Sequence, residues 1–169
     1  LELKKSIAVG NYPYSVAVNE INRKVFLTLN TDGTLVVLDP ENGVVTKSVT
    51  VGESPFGTFM DQKHEKLYLA VAGLDKILQV NARKYTIERS YTTGFSVIDV
   101  ASDTEAGYIF AVHRDAGKLS IFKKDAQEAL KTIDAGKEPV SIAVDAHHGL
   151  IVLSDYSTGS LTLVREIKE

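Results

Sequence analysis

The chain has 169 residues, 44% hydrophobic and 24% charged, a composition that favours a globular fold with a sizeable core over disorder. Its net charge of −3, with 19 Lys and Arg interspersed among 22 Asp and Glu, offers no basic face for phosphate contacts and argues against nucleic-acid binding. The absence of cysteine excludes disulfides, thiolate metal sites and a cysteine nucleophile, and leaves the redox compartment open.

The chain opens on "LELKKSIAVG", which has no signal-peptide hydrophobic region. No later run approaches the ~20 apolar residues of a transmembrane helix. An exported protein would be read here in a mature or trimmed form. The phrase "VGNYPYSVAV" from Val9 to Val18 returns as "VGESPFGTFM" from Val51 to Met60, an offset of 42 residues. The same step links Gly10, Gly52, Gly94 and Gly136; then Pro13, Pro55, Val97 and Pro139; then Asn19, Asp61, Asp103 and Asp145. The third unit alone has lost its proline. The Asn or Asp in each unit opens a polar turn.

After that turn come the apolar runs "KVFLTL" at 24–29, "KLYLAV" at 66–71, "YIFAV" at 108–112 and "LIVLS" at 150–154. They are short, rich in β-branched and aromatic residues, and apolar on both sides, as strands buried on two faces are. The turns "NTDG", "AGLD", "RDAG" and "YSTG" follow, then "TLVVL", "KILQV", "KLSIF" and "SLTLV", which makes a hairpin in each unit. "DPENG" at 39–43 leads into the more alternating "VVTKSVTV", an outer strand with one solvent-facing side. "KKDAQEALK" at 123–131 has local helical character, but its place in the repeat makes it the connection into an outer strand.

Each unit is thus four antiparallel strands, a to d, that cannot bury both faces alone. The predicted fold is all-β, a β-propeller of four blades. The expected divisions are a closing strand at 1–10, units at 11–52, 53–94 and 95–136, and a last unit at 137–169 that lacks its own outer strand. The opening "LKKSIAVG" matches "TKSVTVG" at 46–52. Residues 3–9 are therefore expected to complete the last blade, either within the chain or by exchange between two chains into an eight-bladed ring.

"VFLTL" at 25–29, "TLVVLDPENG" at 34–43 and "SVTVGESPFG" at 48–57 resemble the YVTN family of β-propeller repeats over essentially the whole chain. The resemblance implies a cell-surface or secreted protein acting in adhesion, scaffolding or recognition, with the periplasm as an alternative compartment. A minority of related propellers are lyases and lactonases. Propellers of this kind commonly have more than four blades, so the four units read as a ring, a fragment or half of a larger ring. The family's signature asparagine is replaced by Leu29, Val71, His113 and Asp155. WD40 repeats fit less well, because there is no tryptophan.

The candidate chemistry lies where strand b ends, on the face carrying the b–c and d–a loops. There His113 and Asp155 replace apolar residues at one repeat position. If adjacent, with Arg114 nearby, they could form a general base or an anion site; the plainer reading is a hydrogen-bonded pair or two turn residues. His64, His147 and His148 read as solvated turn residues, the last two pointing apart, and no metal site is expected. Tyr12, Tyr14, Phe56, Phe95 and Tyr156 fall on the same face as His113, Arg114 and Asp155, either as a ligand platform for a protein or carbohydrate or as packing between blades. The register glycines match no phosphate-binding pattern, and no cofactor is expected. The primary reading is a non-enzymatic binding, adhesion or scaffolding module, monomeric or a ring-completing homodimer. The alternative is a hydrolase or lyase with its site on that face.

Overall fold

The computed structural model describes residues 2–165; Leu1 and residues 166–169 lie outside the described residues. Fifteen strands make four antiparallel sheets. The first holds β1 (Pro13–Asn19), β2 (Lys24–Leu29), β3 (Thr34–Asp39) and β4 (Val44–Thr50). The second holds β5 (Pro55–Asp61), β6 (Lys66–Val71), β7 (Lys76–Asn81) and β8 (Thr86–Thr92). The third holds β9 (Asp99–Asp103), β10 (Tyr108–His113), β11 (Lys118–Lys123) and β12 (Lys131–Asp134), and the fourth β13 (Pro139–Asp145), β14 (Leu150–Asp155) and β15 (Ser160–Arg165). Every strand pairs with its neighbour in sequence, so each sheet is a meander, a blade.

The turns follow from their residues. Asn19, Asp61, Asp103 and Asp145 each accept backbone N–H groups two or three residues ahead with a side-chain oxygen, and Asp39 does the same for Glu41 and Asn42. Residues 124–130 form no helix. They fold back over the preceding blade, where Thr92 donates its N–H to the Gln127 carbonyl and the Tyr91 hydroxyl donates to the Lys124 carbonyl. This cover protects the edge of β8, a row of backbone groups otherwise open to another strand, and shortens β12 to four residues.

Between consecutive blades lie three apolar layers. Phe26, Leu35 and Val37 of the first blade meet Leu67, Leu69, Leu78 and Val80 of the second. Tyr68, Ile77 and Tyr91 meet Val100, Ile109 and Phe122. Phe110 and Leu119 meet Ile151 and Leu153. Burying one such side chain fully contributes roughly 1.5–3 kcal/mol, so these layers dominate the stability of the fold. The innermost strands also touch blade to blade, β1 on β5, β5 on β9 and β9 on β13.

The closing strand expected at residues 3–9 is not part of the fourth sheet, which has three strands. The reason is geometric. The main contacts of β13 are with β9, β10 and β14, none of them in the first blade. Residues 2–10 instead cross the outer face of the first blade. Asn11 donates its N–H to Asp32, Lys5 donates to the Asn42 carbonyl, and Lys5 and Ile7 lie against Gly43.

Loss of the third proline also has a structural cost. β9 starts at Asp99 and runs for five residues, where β1, β5 and β13 start at their prolines and run for seven. The Asp99 carboxylate bridges to the fourth blade by accepting from the Ser141 hydroxyl and the Ile142 N–H, and burial pushes its pKa up against these bonds. Gly57 faces it from the second blade, donating its N–H to the Ile98 carbonyl at 2.9 Å. A Cβ at Gly57 would run into the Asp99 carboxylate and come within 2.9 Å of its Cα. Gly57→Ala is therefore expected to destabilise the fold by about 1–3 kcal/mol through overpacking. Chemical denaturation checks this; Gly57 has no positive φ, so the loss reports the close contact and not a left-handed backbone.

Candidate functional site

The ends of the second strands carry a repeated device. Position 29, 71, 113 or 155 sits diagonally across the hairpin from position 36, 78, 120 or 162. The pairs are Leu29–Val36, Val71–Leu78, His113–Ser120 and Asp155–Thr162: two apolar, then two polar. Leu29, Val71, His113 and Asp155 are all buried, beneath the loop that leads into the first strand of their own blade. The first two support that loop by packing: a Cβ on Gly10 would touch Leu29, and one on Gly52 would touch Val71. The last two support it by hydrogen bonds.

Asp155 accepts the N–H groups of Lys137 and Glu138 on one oxygen, and those of Ser157 and Thr158 with the Ser157 hydroxyl on the other. Burial works to raise its pKa, but the bonds from Glu138, Thr158 and Lys137 outweigh it and hold the carboxyl far below its ordinary range. His113 has both ring nitrogens engaged. Nδ1 lies 3.3 Å from the Ser96 carbonyl, which can only accept, so Nδ1 carries the proton. Nε2 then accepts from the Ser120 hydroxyl at 2.9 Å, and Ser120 lies 2.9 Å from the Thr132 hydroxyl. Burial lowers the His113 pKa, against the pull of the Ser96 and Phe95 backbone.

The expected His113–Asp155 pair is therefore not formed. Each side chain is committed to its own loop, and no ion pair joins them among the described residues. Ser120, which sequence reasoning passed over, is the true partner of His113. The signal was present as a polar residue at both members of a repeat pair that is apolar in the first two units. The His113–Ser120 contact looks like a base beside a hydroxyl nucleophile, but both residues have 0% exposure, and substrate cannot reach them in this conformation.

Around this buried support the predicted aromatic residues divide. Tyr14 and Phe56, equivalent residues of the first two blades, meet edge to face at 4.8 Å, with Phe56 packed into the inter-blade layers. Phe95 stacks obliquely on His113 at 5.5 Å while remaining exposed on its other side. Tyr12 and Tyr156 bond through their backbones, Asn30 N–H to the Tyr12 carbonyl and Tyr156 N–H to the Glu138 carbonyl, leaving both side chains in solvent. Arg114 donates Nε to Asp115 at 2.8 Å, and its pKa is raised by Asp115 first and more weakly by Glu138 and Tyr14. A groove of about 540 Å³ on the same face is lined by Asn30, Asp32, Thr50, Glu53 and Ser54.

The a–b turn histidines lie elsewhere. His64 and His148 bond Asp61 and Asp145 at 2.8 and 2.7 Å. His147 and His148 do not point apart as expected: their rings touch edge to face at 4.8 Å. No group of three metal-ligating side chains is present among the described residues.

Solved structures with this arrangement include Kuenenia stuttgartiensis hydrazine synthase, with a TM-score of 0.82 at 12% identity over 98% of this chain. The Cps50 (Swd1) beta-propeller domain of Myceliophteria thermophila matches at 0.76 and 12% over 89%. The fold is that of a β-propeller. A chain of the mitotic checkpoint complex matches at 0.78 and 13% over 92%. The present chain spans 49, 52 and 51% of those three chains, about half of each. No family model and no curated protein matches it.

The buried imidazole makes stability depend on pH. Its folded pKa lies below the ordinary 6.5, so the unfolded chain takes up the proton first. The contribution of neutral His113 is complete above about pH 6.5 and is lost as pH falls towards the folded value. The stability gap between the wild type and His113→Leu should therefore narrow as pH drops below 6.5. His113→Leu with Ser120→Val, which restores the apolar pair of the first units, should be less destabilised than the two single changes summed. Denaturant titrations across this range check both; a gap independent of pH would show that His113 does not titrate between the two states.

Proposed function

We propose that the chain is a non-enzymatic recognition and scaffolding module of the YVTN-like kind, belonging to a cell-surface or secreted protein. It binds protein partners through the face carrying the b–c and d–a loops. One observation carries this reading: the two groups best suited to catalysis, His113 and Asp155, are buried and spent on holding loops. The same face presents Tyr12, Tyr14, Phe95 and Tyr156 to solvent, with Arg114 near Tyr14. Rigid aromatic side chains and arginine supply much contact area at low entropy cost, as binding hot spots do. The Arg114–Asp115 pair is solvent-exposed and worth little, so a carboxylate on a partner can displace Asp115.

Selection from a displayed peptide library against the immobilised chain tests this. Selected peptides should carry an acidic residue near apolar ones. Their affinity should fall by about tenfold or more for Tyr14→Ala or Arg114→Ala, the scale of a hot-spot truncation, with the fold intact by circular dichroism. Binding confined to glycans on an array, or turnover of ester or lactone substrates abolished by His113→Leu, would overturn it. Surface labelling of the native cells tests the localisation.

A further inference from the structure

The four d–a loops share one register and differ in how they are held. Their register glycines are Gly10, Gly52, Gly94 and Gly136. A Cβ on Gly10, Gly52 or Gly136 would run into Leu29, Leu74 or Asp155, whereas nothing lies within 4 Å of one on Gly94. The first, second and fourth loops enter their strands at Pro13, Pro55 and Pro139; the third has Val97 at that place, and β9 starts only at Asp99. The third loop therefore has room to move and no proline to set its backbone.

Its fixed points are Thr93, which donates its N–H to the Asp75 carbonyl at 2.9 Å, and Ile98, which donates to the Val112 carbonyl at 3.0 Å. Between them the Phe95 carbonyl accepts from the Thr93 hydroxyl and the Ser96 carbonyl from His113 Nδ1, with the Phe95 ring set on the imidazole. His113 thus ties this loop to the blade. Leu29 and Val71 have no charge to gain, and the bonds on Asp155 keep it ionised far below neutral pH. Of the four supports, His113 is the one that changes charge in the mildly acidic range.

Proton uptake undoes the support. A second ring proton turns Nε2 from acceptor to donor, so the Ser120 hydroxyl must reverse and donate to the Thr132 hydroxyl. The charge is then enclosed at a position with 0% exposure, and no surrounding charged group among the described residues bonds the ring. Lys118, opposite His113 across the hairpin, is bonded to Asp134, Arg114 to Asp115, and Asp155 to its own loops. Glu138 acts on Arg114, and Asp75 acts on the ring only through space. A buried imidazolium without a partner is costly. Lifting Phe95 and Ser96 off the ring gives it water, and Gly94, at φ 71° and free of contacts, is the pivot.

We propose that His113 is a pH-sensitive latch on the third d–a loop. Neutral, it holds residues 94–96 down on the blade; protonated, it releases them and takes Phe95 out of its place on the loop face. Burial lowers the pKa of the closed state, and in the open state the ring returns towards the ordinary 6.5. Above that pH the closed loop has its full advantage. Below it the open-to-closed ratio rises about tenfold per pH unit until the closed-state pKa is passed. The effect on binding rests on the recognition role proposed above, whereas the latch itself needs no partner.

NMR of the free chain tests the latch. The His113 ring should titrate below pH 6.5, and the backbone order parameters of Phe95 and Ser96 should fall with the same midpoint, from about 0.85 to below about 0.6. Those of Ser54 and Glu138 in the flanking loops should not change. His113→Gln keeps an amide donor and acceptor in this place without a titrating charge, and should hold the loop order constant from pH 7.5 to 5. His113→Leu, an apolar support like Leu29, should do the same. Peptides selected at pH 7.5 should bind the wild type about tenfold or more weakly at pH 5 and the His113→Gln chain equally at both; unchanged binding by a chain whose loop has moved removes Phe95 from recognition and keeps the latch. Three results overturn the latch and leave the recognition role standing: a ring still neutral at pH 5, a ring that titrates while Phe95 and Ser96 keep their order, or an equal loss of order in His113→Gln.

Discussion

A four-stranded sheet with two apolar faces cannot be stable in water by itself, and everything else in this molecule depends on how those faces are covered. Here each blade is the cover for the next. Phe26, Leu35 and Val37 are core residues only because Leu67, Leu69 and Val80 stand opposite, and the same exchange recurs at the next two interfaces. A 42-residue repeat is therefore a unit of packing as much as of sequence. Stability is nearest-neighbour in character.

The same constraint explains why the loop face can vary. Once the layers fix the strand ends, the loops need only a support beneath them, and the chain uses two solutions. Leu29 and Val71 support by contact, and His113 and Asp155 by hydrogen bonds. At His113 the second member of the diagonal pair completes the polar solution, because Ser120 takes up a ring nitrogen that would otherwise be buried without a partner, whereas Asp155 is satisfied by its loops alone. What the loops then display, Tyr12, Phe95, Arg114 and Tyr156, carries no side-chain bond to the scaffold beyond the Phe95–His113 contact and the exposed Arg114–Asp115 pair.

The architecture was legible in the sequence because it is periodic. The glycine, proline and Asx registers fixed the strands, their order and the turns, and the repeat correctly overrode the helical look of 123–131. Two features were not legible. The pairing of His113 depends on a diagonal across a hairpin, and proximity by repeat position wrongly suggested Asp155 as partner. The path of residues 3–9 is the second: the match of "LKKSIAVG" to an outer strand suggested a ladder with the last blade, whereas the segment lies against the first blade, with Lys5 on the Asn42 carbonyl.

Each blade covers the next, and amide hydrogen exchange reads that dependence directly, because a strand whose cover is weakened opens and exchanges faster. Leu153→Ala removes part of the layer between the third and fourth blades. The amides of β14 and of β10, which face each other across that layer, should then exchange faster together while those of β2 and β3 stay protected. Acceleration confined to β14 with β10 unchanged, or equal acceleration in all four blades, would contradict a fold held together blade by blade.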